Sequence, residues 1–263
     1  ALDYLVYAYL QLGDNQKAKL ELTKMNEIKE VFPSDHFASA YALIAVPCRL
    51  AIENKNWDLA AKLELPKTNL DWEKADWPVA ILHFSRALGF SNLGETFKAE
   101  KELQSLISLR DKLSDADKPY ESGQVTIQIE AVRAWIEFSK GNSNKAVDYM
   151  KLASNLESKT SKAAVTPGEI IPADELLGDL YLALNKPKKA LASYKLNLEL
   201  RPFRFNGIYG AAKAAEKLED IKLARYYYNQ LIELTSEVNS SRPEINEAKD
   251  FLTTNSMSIA DNG

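Results

Sequence analysis

One stretch of the chain, Pro172–Pro202, limits the possible folds more than any other. It reads PADELLGDLYLALNKPKKALASYKLNLELRP. The spacing of Gly178 and Tyr181 places both side chains on one face of a first helix. Ala190 and Tyr194 share a face of a second helix, which the final proline of the stretch ends. The stretch therefore predicts two helices joined by a tight turn.

The same pattern recurs along the chain, with the alanine of the second helix as its reference point. Successive copies are 42, 39, 47, 44 and 34 residues apart. The position twelve residues before each alanine is occupied by a small residue in five of the six copies. A small residue is needed there because antiparallel helices approach closely only where side chains are short. The reference alanines with their small positions are Ala18 with Val6, Ala60 with Cys48, Ala99 with Ala87, Ala146 with Ala134, Ala190 with Gly178, and Ala224 with Ala212.

Short turns separate the paired helices at matching places in all six copies. Glycine or asparagine at such a turn favours the left-handed conformation in which many helices end. The reference alanine, the small residue twelve positions before it and the turn thus recur together at six places. Together they predict six helix pairs. The turns are Gly13-Asp14, Lys55-Asn56, Gly94-Glu95, Gly141-Asn142, Asn185-Lys186 and Glu219-Asp220.

The order Leu-Gly-x2-Tyr, then Ala-x3-Tyr, then proline eight residues later resembles the tetratricopeptide repeat (TPR) family. The resemblance covers about residues 1–238 and is closest to bacterial members with long repeats and no assigned function. It implies an all-α, right-handed superhelical solenoid of about six helix-turn-helix units with a C-terminal capping helix. The expected single domain spans 1–252, with units at about 1–31, 35–66, 78–113, 120–159, 172–203 and 204–238, a cap at 242–252 and a polar tail at 253–263.

Three connections depart from a regular repeat. Pro66 is expected to end the second helix of the second pair early. The charged stretch 110–123 either extends a helix or forms a solvated connection. Residues 160–172, with Thr-Pro-Gly and a further proline, form the best candidate for a long loop.

Composition narrows the possible functions. The net charge of −4 and the mixed signs make nucleic acid a poor partner. A single cysteine excludes an internal disulfide and any multi-cysteine metal site. No apolar run is long enough for a membrane span. Because the chain begins at Ala1 inside a helical pattern, we expect a trimmed or mature form of a soluble bacterial protein, in the cytoplasm or the periplasm.

The sequence contains no motif that predicts catalysis or a cofactor. GxGxxG, a Walker-type phosphate loop and HExxH are all missing. A functional interpretation has His36 and His83 share a metal or serve Cys48 as a base, whereas exposed or hydrogen-bonded histidines are the simpler interpretation. Cys48 fills a small core position. Glu175 and Asp179 share a helix face, where two carboxylates most often lie in solvent. We therefore expect no enzyme activity, no metal and no cofactor.

The TPR resemblance implies a concave groove lined mainly by the first helix of each unit. Aromatic and charged residues at these positions suit recognition of a peptide or partner segment. Arg49 and Tyr209 are expected to be accessible, whereas Trp135 and Phe138 either line the groove or pack in the core. No three consecutive units supply the carboxylate clamp of chaperone-binding TPR proteins. The candidate groove residues are Tyr7, Arg49, Glu53, Phe84, Asn92, Trp135, Phe138, Glu175, Asp179, Arg204, Tyr209 and Lys213.

Three functions are compatible with this sequence. The leading hypothesis is a non-catalytic scaffold that binds a protein or peptide ligand in the groove. The alternative is a small-molecule, anion-binding or enzymatic pocket that the 160–172 loop encloses, with Arg49, Trp135, Arg204 and Tyr209 converging on the ligand. The third is a structural module that forms homo-oligomers.

Overall fold

The computed structural model describes residues 2–161 and 169–260, with side chains described as far as Asn255. Over this part of the chain there are thirteen α-helices and no β-strand. The prediction of an all-α helical repeat is confirmed. The helices are α1 (Leu2–Gln11), α2 (Asn15–Asn26), α3 (Phe37–Glu53), α4 (Trp57–Ala61), α5 (Asp76–Asn92), α6 (Thr96–Asp115), α7 (Pro119–Ser139), α8 (Ser143–Glu157), α9 (Ala173–Ala183), α10 (Pro187–Leu200), α11 (Phe205–Lys217), α12 (Ile221–Leu234) and α13 (Pro243–Ala260).

Each of the six predicted turns contains a residue with left-handed backbone geometry. Three of these residues are glycines, and the others are Lys55, Asn185 and Glu219, with φ between 49° and 57°. A residue with a Cβ pays about 1–2 kcal/mol for this conformation. The turns keep it because it ends one helix and redirects the chain into its partner.

Helices α4 and α13 differ in length from the sequence expectation, and α6 follows one of the two alternatives given for residues 110–123. Helix α4 has only five residues and ends at Ala61, before Pro66 is reached. Helix α6 extends to Asp115 and α7 begins at Pro119, so most of the charged stretch 110–123 is helical. Helix α13 extends to Ala260, eight residues past the expected end of the capping helix. The described part of the expected polar tail is therefore helical as far as Ala260.

The chain divides into two compact units. Unit I contains Ala1–Tyr7 and Lys19–Ala173, and unit II contains Ala8–Ala18 and Asp174–Gly263. The boundary between them near residue 173 follows the proposed long loop, of which residues 162–168 lie outside the described part. A single solenoid domain over 1–252 stays a prediction.

The core of unit II forms around the ring of Tyr194. This side chain is fully buried, and its hydroxyl donates to Oδ1 of Asp179 at 2.6 Å. A Cβ added at Gly178 would lie 2.7 Å from the ring, and one added at Gly210 would overlap it. Helices α9, α10 and α11 therefore meet at a tyrosine that fits only because two neighbouring helices carry glycine. Burial, followed by the charge of the Asp179 carboxylate, raises the pKa of Tyr194 well above its ordinary value.

The turn between α1 and α2 also packs inside unit II. The backbone N–H of Phe205 donates to Oε1 of Gln11 at 3.0 Å. The hydroxyl of Ser240 donates to the carbonyl of Gly13 at 2.6 Å. The turn of the first helix pair is thus joined to the start of α11 and to the connection before α13. Nothing in the repeat pattern predicts these contacts.

Close backbone approach also organises unit I. A Cβ added at Gly89 of α5 would lie 2.5 Å from the backbone N of Ala61 and 2.8 Å from the carbonyl O of Trp57. Helices α4 and α5 therefore touch through their backbones. The small positions Cys48, Ala87 and Ala134 are fully buried, as the spacing analysis predicts. None of the helices described here has both the length and the hydropathy that a membrane span requires.

Gly210→Ala is predicted to destabilise the protein because the new methyl group overlaps the Tyr194 ring. Overpacking of a tight core costs about 1–3 kcal/mol. The matched control is Gly123→Ala in α7, where an added Cβ meets nothing within 4 Å. That change is expected to stabilise by about 0.5–1 kcal/mol through helix propensity. Urea unfolding measures the free energy of unfolding of both variants. Equal stability of Gly210→Ala and wild type would contradict the packing described.

Candidate functional site

The predicted groove residues fall into two groups by burial. Six are buried, and the other six are half-exposed. The buried residues are Arg49, Glu53, Phe84, Trp135, Glu175 and Arg204. The half-exposed residues are Tyr7, Asn92, Phe138, Asp179, Tyr209 and Lys213. The first-helix positions therefore do not form one continuous accessible surface within either unit.

Arg49 is fully buried, so the expectation that it is accessible is wrong. Its guanidinium donates to the carbonyls of Glu169 (2.6 Å) and Ile170 (3.3 Å). It also lies 3.4 Å from the carboxylate of Asp3 and over the ring of Tyr7. The start of α1 and the segment before α9 thus cover this part of α3. Burial raises the pKa of Asp3, although the nearby Arg49 charge opposes that shift.

Trp135 and Phe138 form an edge-to-face pair with ring centroids 5.5 Å apart. Trp135 is buried, as is Phe84 on α5, whereas Phe138 is half-exposed. This burial favours the core interpretation of Trp135 over a groove contact.

In unit II, the predicted groove residues Glu175 and Arg204 bind each other. The Arg204 guanidinium donates to both carboxylate oxygens, at 2.7 and 3.0 Å, and both side chains are essentially without solvent exposure. Asn197 donates to the same carboxylate at 3.3 Å. The expectation that the carboxylates of Glu175 and Asp179 lie in solvent is wrong for Glu175. A bidentate arginine–carboxylate pair of this kind fixes the register of α9 against the start of α11.

The accessible part of the predicted groove in unit II is a network on α11. Tyr209 donates to the carboxylate of Glu247 at 2.6 Å, and Lys213 lies between Glu216 (3.0 Å) and Glu247 (3.6 Å). Burial, together with the hydrogen bond to Glu247, raises the pKa of Tyr209. Tyr209 and Lys213 are therefore half-exposed but already engaged with carboxylates of the same unit.

The described residues contain no cluster that suggests catalysis. His36 bonds Ser39 at 2.8 Å, and His83 bonds Glu102 at 2.6 Å, so the two imidazoles have separate local partners. Within the described part of the chain, no group of three or more His, Cys, Asp or Glu side chains is arranged to hold a metal. Cys48 is fully buried, and burial raises the pKa of its thiol to about 12.

The alternative pocket depends partly on residues 162–168, which lie outside the described part of the chain. Two of the residues expected to bind its ligand have other partners. Arg49 contacts backbone carbonyls of residues 169 and 170, and Arg204 contacts Glu175. Neither guanidinium is free to meet an anion.

An open groove lies elsewhere in unit I, between α6, α7 and α8. This α6–α8 groove has a volume of about 470 Å³. Phe97, on the first turn of α6, borders it and is 69% exposed. Sequence reasoning missed this groove because the TPR resemblance directs attention to first helices, whereas Phe97 belongs to a second helix. The lining residues are Phe97, Glu100, Lys101, Leu103, Gln104, Arg133, Ile136, Glu137, Lys140 and Tyr149.

The charges in the α6–α8 groove are unequally compensated. Lys140 lies 2.7 Å from Glu100 and 3.6 Å from Glu137, and the hydrogen bond to Glu100 raises its pKa. Arg133 pairs with a carboxylate outside the lining, Glu130, at 2.6 Å. Lys101 lies over the Phe97 ring at 4.6 Å. The groove therefore combines an exposed aromatic ring with three cations, of which Arg133 and Lys140 pair with carboxylates and Lys101 lies over the ring.

Paired antiparallel helices, small residues at the contacts and left-handed turns define an α-helical repeat protein. A family model described as Tetratricopeptide repeat matches residues 175–204, which span α9, the turn and α10. This match supports a TPR-type repeat over these residues. A search of the curated proteins finds no match.

Arg204→Met is predicted to destabilise the protein strongly rather than only to weaken ligand binding. It leaves the Glu175 carboxylate buried without its charge partner, which costs about 3–5 kcal/mol. The double variant Glu175→Leu/Arg204→Met is expected to lose less than the sum of the single changes, because no lone charge remains. Urea unfolding measures the free energy of unfolding of the single and the double variants. The exposed α11 residue Lys217, changed to Met, is the control, and an Arg204→Met variant as stable as this control would contradict the buried pair.

The Cys48 thiol is predicted to resist alkylation in the folded protein. The thiolate is the reactive form, and a pKa near 12 leaves little thiolate at about pH 8.5. Because the folded pKa lies above the ordinary 9.0, the stabilising effect of the neutral thiol is complete below pH 9 and is lost as the pH rises towards 12. Iodoacetamide labelling followed by mass spectrometry, with and without urea, tests this. Fast labelling without urea would show an accessible thiol.

Proposed function

We propose that this TPR-type protein is a non-catalytic scaffold that binds a peptide segment of a partner protein. The repeat architecture supports this function because TPR proteins generally act as interaction scaffolds. The α6–α8 groove supports the location. Groove interfaces of this kind are commonly micromolar, about −8 kcal/mol, because ordering of the ligand offsets much of the contact energy.

The observation that carries the proposal is the exposure of Phe97 beside the 470 Å³ groove. An aromatic ring next to a groove is the usual kind of anchor at a protein interface. Tyr149 adds a second aromatic ring to the lining, which an apolar side chain of the ligand can contact together with Phe97. Lys101 adds a cation that favours a carboxylate next to this apolar anchor.

The predicted first-helix face is the weaker candidate. In unit I the chain itself covers Arg49, and in unit II Glu175 and Arg204 neutralise each other. The half-exposed residues Tyr209 and Lys213 remain as a second possible contact surface.

Phe97→Ser/Lys101→Glu is predicted to lose the partner, because the change removes the aromatic anchor and reverses the nearby charge. Affinity capture from a native extract, quantified by mass spectrometry, measures the loss, which is expected to be at least tenfold. The matched control is Phe203→Ser, since Phe203 is 72% exposed and does not line the groove.

A second control, Tyr209→Ala/Lys213→Glu, tests the first-helix face of unit II. Partners that are lost only with this variant would move the binding surface to α11. Partners retained by all three variants would contradict both locations. All variants must first have the same helical content by circular dichroism.

A further inference from the structure

The connection between α2 and α3, residues 27–36, presents an apolar side chain almost entirely to solvent. Phe32 is 97% exposed, more than any other large apolar side chain of the described residues. A ring in this position makes almost no contact with its own chain, so it adds nothing to the core. Exposure alone is common for single apolar residues, but here it is combined with a fixed backbone and an uncompensated charge.

Hydrogen bonds from residues 69–71 hold the backbone on both sides of Phe32. The side chain of Asn69 accepts from the N–H of Val31 at 2.7 Å and donates to its carbonyl at 3.1 Å. Beyond the ring, the backbone N–H of Asp71 donates to the carbonyl of Ser34 at 2.8 Å. The exposed ring is therefore carried on a preformed support, which reduces the entropy that is lost on binding.

A carboxylate two residues before Phe32 has no counter-ion. Glu30 is exposed, and it forms no ion pair with any residue that the structure describes. The adjacent Lys29 directs its ammonium to a backbone carbonyl at 2.7 Å instead. On the other side of the ring, Asp35 is exposed but partly compensated, because it acts on Lys74. The connection therefore combines an exposed ring with one uncompensated carboxylate.

The α6–α8 groove has the complementary features. Phe97 and Tyr149 provide aromatic surface along its lining. Of its cations, Arg133 and Lys140 pair with carboxylates at 2.6 and 2.7 Å. Lys101 pairs with no carboxylate in the described part of the chain, and its ammonium lies 4.6 Å from the centre of the Phe97 ring. The groove therefore offers aromatic surface and one uncompensated cation to an apolar side chain that has a carboxylate beside it.

Phe32 does not occupy the groove of its own molecule, because its ring is 97% exposed and no residue of 27–36 lines the groove. We propose that Phe32 enters the α6–α8 groove of a second copy of this chain, where Glu30 meets Lys101. The inference rests on the proposed function, since it uses the same groove and names the partner as another copy of the protein.

This contact joins two different surfaces, so each molecule of a pair keeps one unused loop and one unused groove. Association of this kind continues into open chains unless the rotation between neighbours closes a ring. A short loop buries less area than a standard protein interface, so the association is expected to depend on concentration rather than to give a fixed oligomer.

Sedimentation velocity of the purified full chain, from about 10 μM to about 1 mM, tests the proposal. The mass of the wild-type species is expected to rise with concentration. Phe32→Ser and Phe97→Ser should each weaken association about tenfold or more, because each removes one of the two rings. The matched control is Phe203→Ser, which removes a ring that is 72% exposed but belongs to neither surface. All variants must first show wild-type helical content by circular dichroism.

Mixing two variants distinguishes this contact from other forms of self-association. Phe32→Ser keeps its groove and Phe97→Ser keeps its loop, so their mixture should form pairs and no longer chains. Glu30→Lys and Lys101→Glu should each weaken association about threefold, as expected for an exposed ion pair. A chain that carries both charge reversals should regain the lost affinity, and all these charge effects should shrink in high salt.

A wild-type chain that stays monomeric at the highest concentration would overturn the proposal, as would Phe32→Ser that associates as strongly as wild type. A captured partner that Phe32→Ser retains and Phe97→Ser/Lys101→Glu loses would then show that the groove binds a different protein. Failure of the second copy as the partner is therefore distinguishable from failure of the α6–α8 groove.

Discussion

The close approach of neighbouring helix backbones is the constraint on which the rest of this structure depends. In unit I, Gly89 allows the backbones of α4 and α5 to touch. In unit II, Gly178 and Gly210 leave the space that the Tyr194 ring fills. Short side chains at these contacts bring helices near enough for ordinary apolar residues to complete the core. The repeat is visible in the sequence because this requirement returns at every pair.

The repeat itself could be predicted because its signals are local. Helix periodicity, the small positions and the left-handed turns at Gly13, Lys55 and Glu219 depend on residues a few positions apart. The burial of Arg49 could not be predicted in this way, because its contacts come from Asp3 and from residues 169 and 170. The partner of Glu175 lies 29 residues along the chain, outside its own helix pair.

The exposure of two predicted groove residues, Arg49 and Glu175, was mispredicted for a related physical reason. Mapping positions from a repeat family assumes that each first helix presents the same face to solvent. Here the chain supplies its own partners to that face, with backbone carbonyls at Arg49 and a guanidinium at Glu175. A recognition surface is favoured where exposed side chains are not covered by other parts of the chain. One such place is the exposed ring of Phe97.

Hydrogen–deuterium exchange of the protein with and without a captured partner tests the location of the binding surface most directly. Binding in the α6–α8 groove predicts slower exchange in residues 97–104 and 133–140, where the groove is lined. Slower exchange confined to residues 209–217 of α11 would contradict this location and return the binding site to the first-helix face.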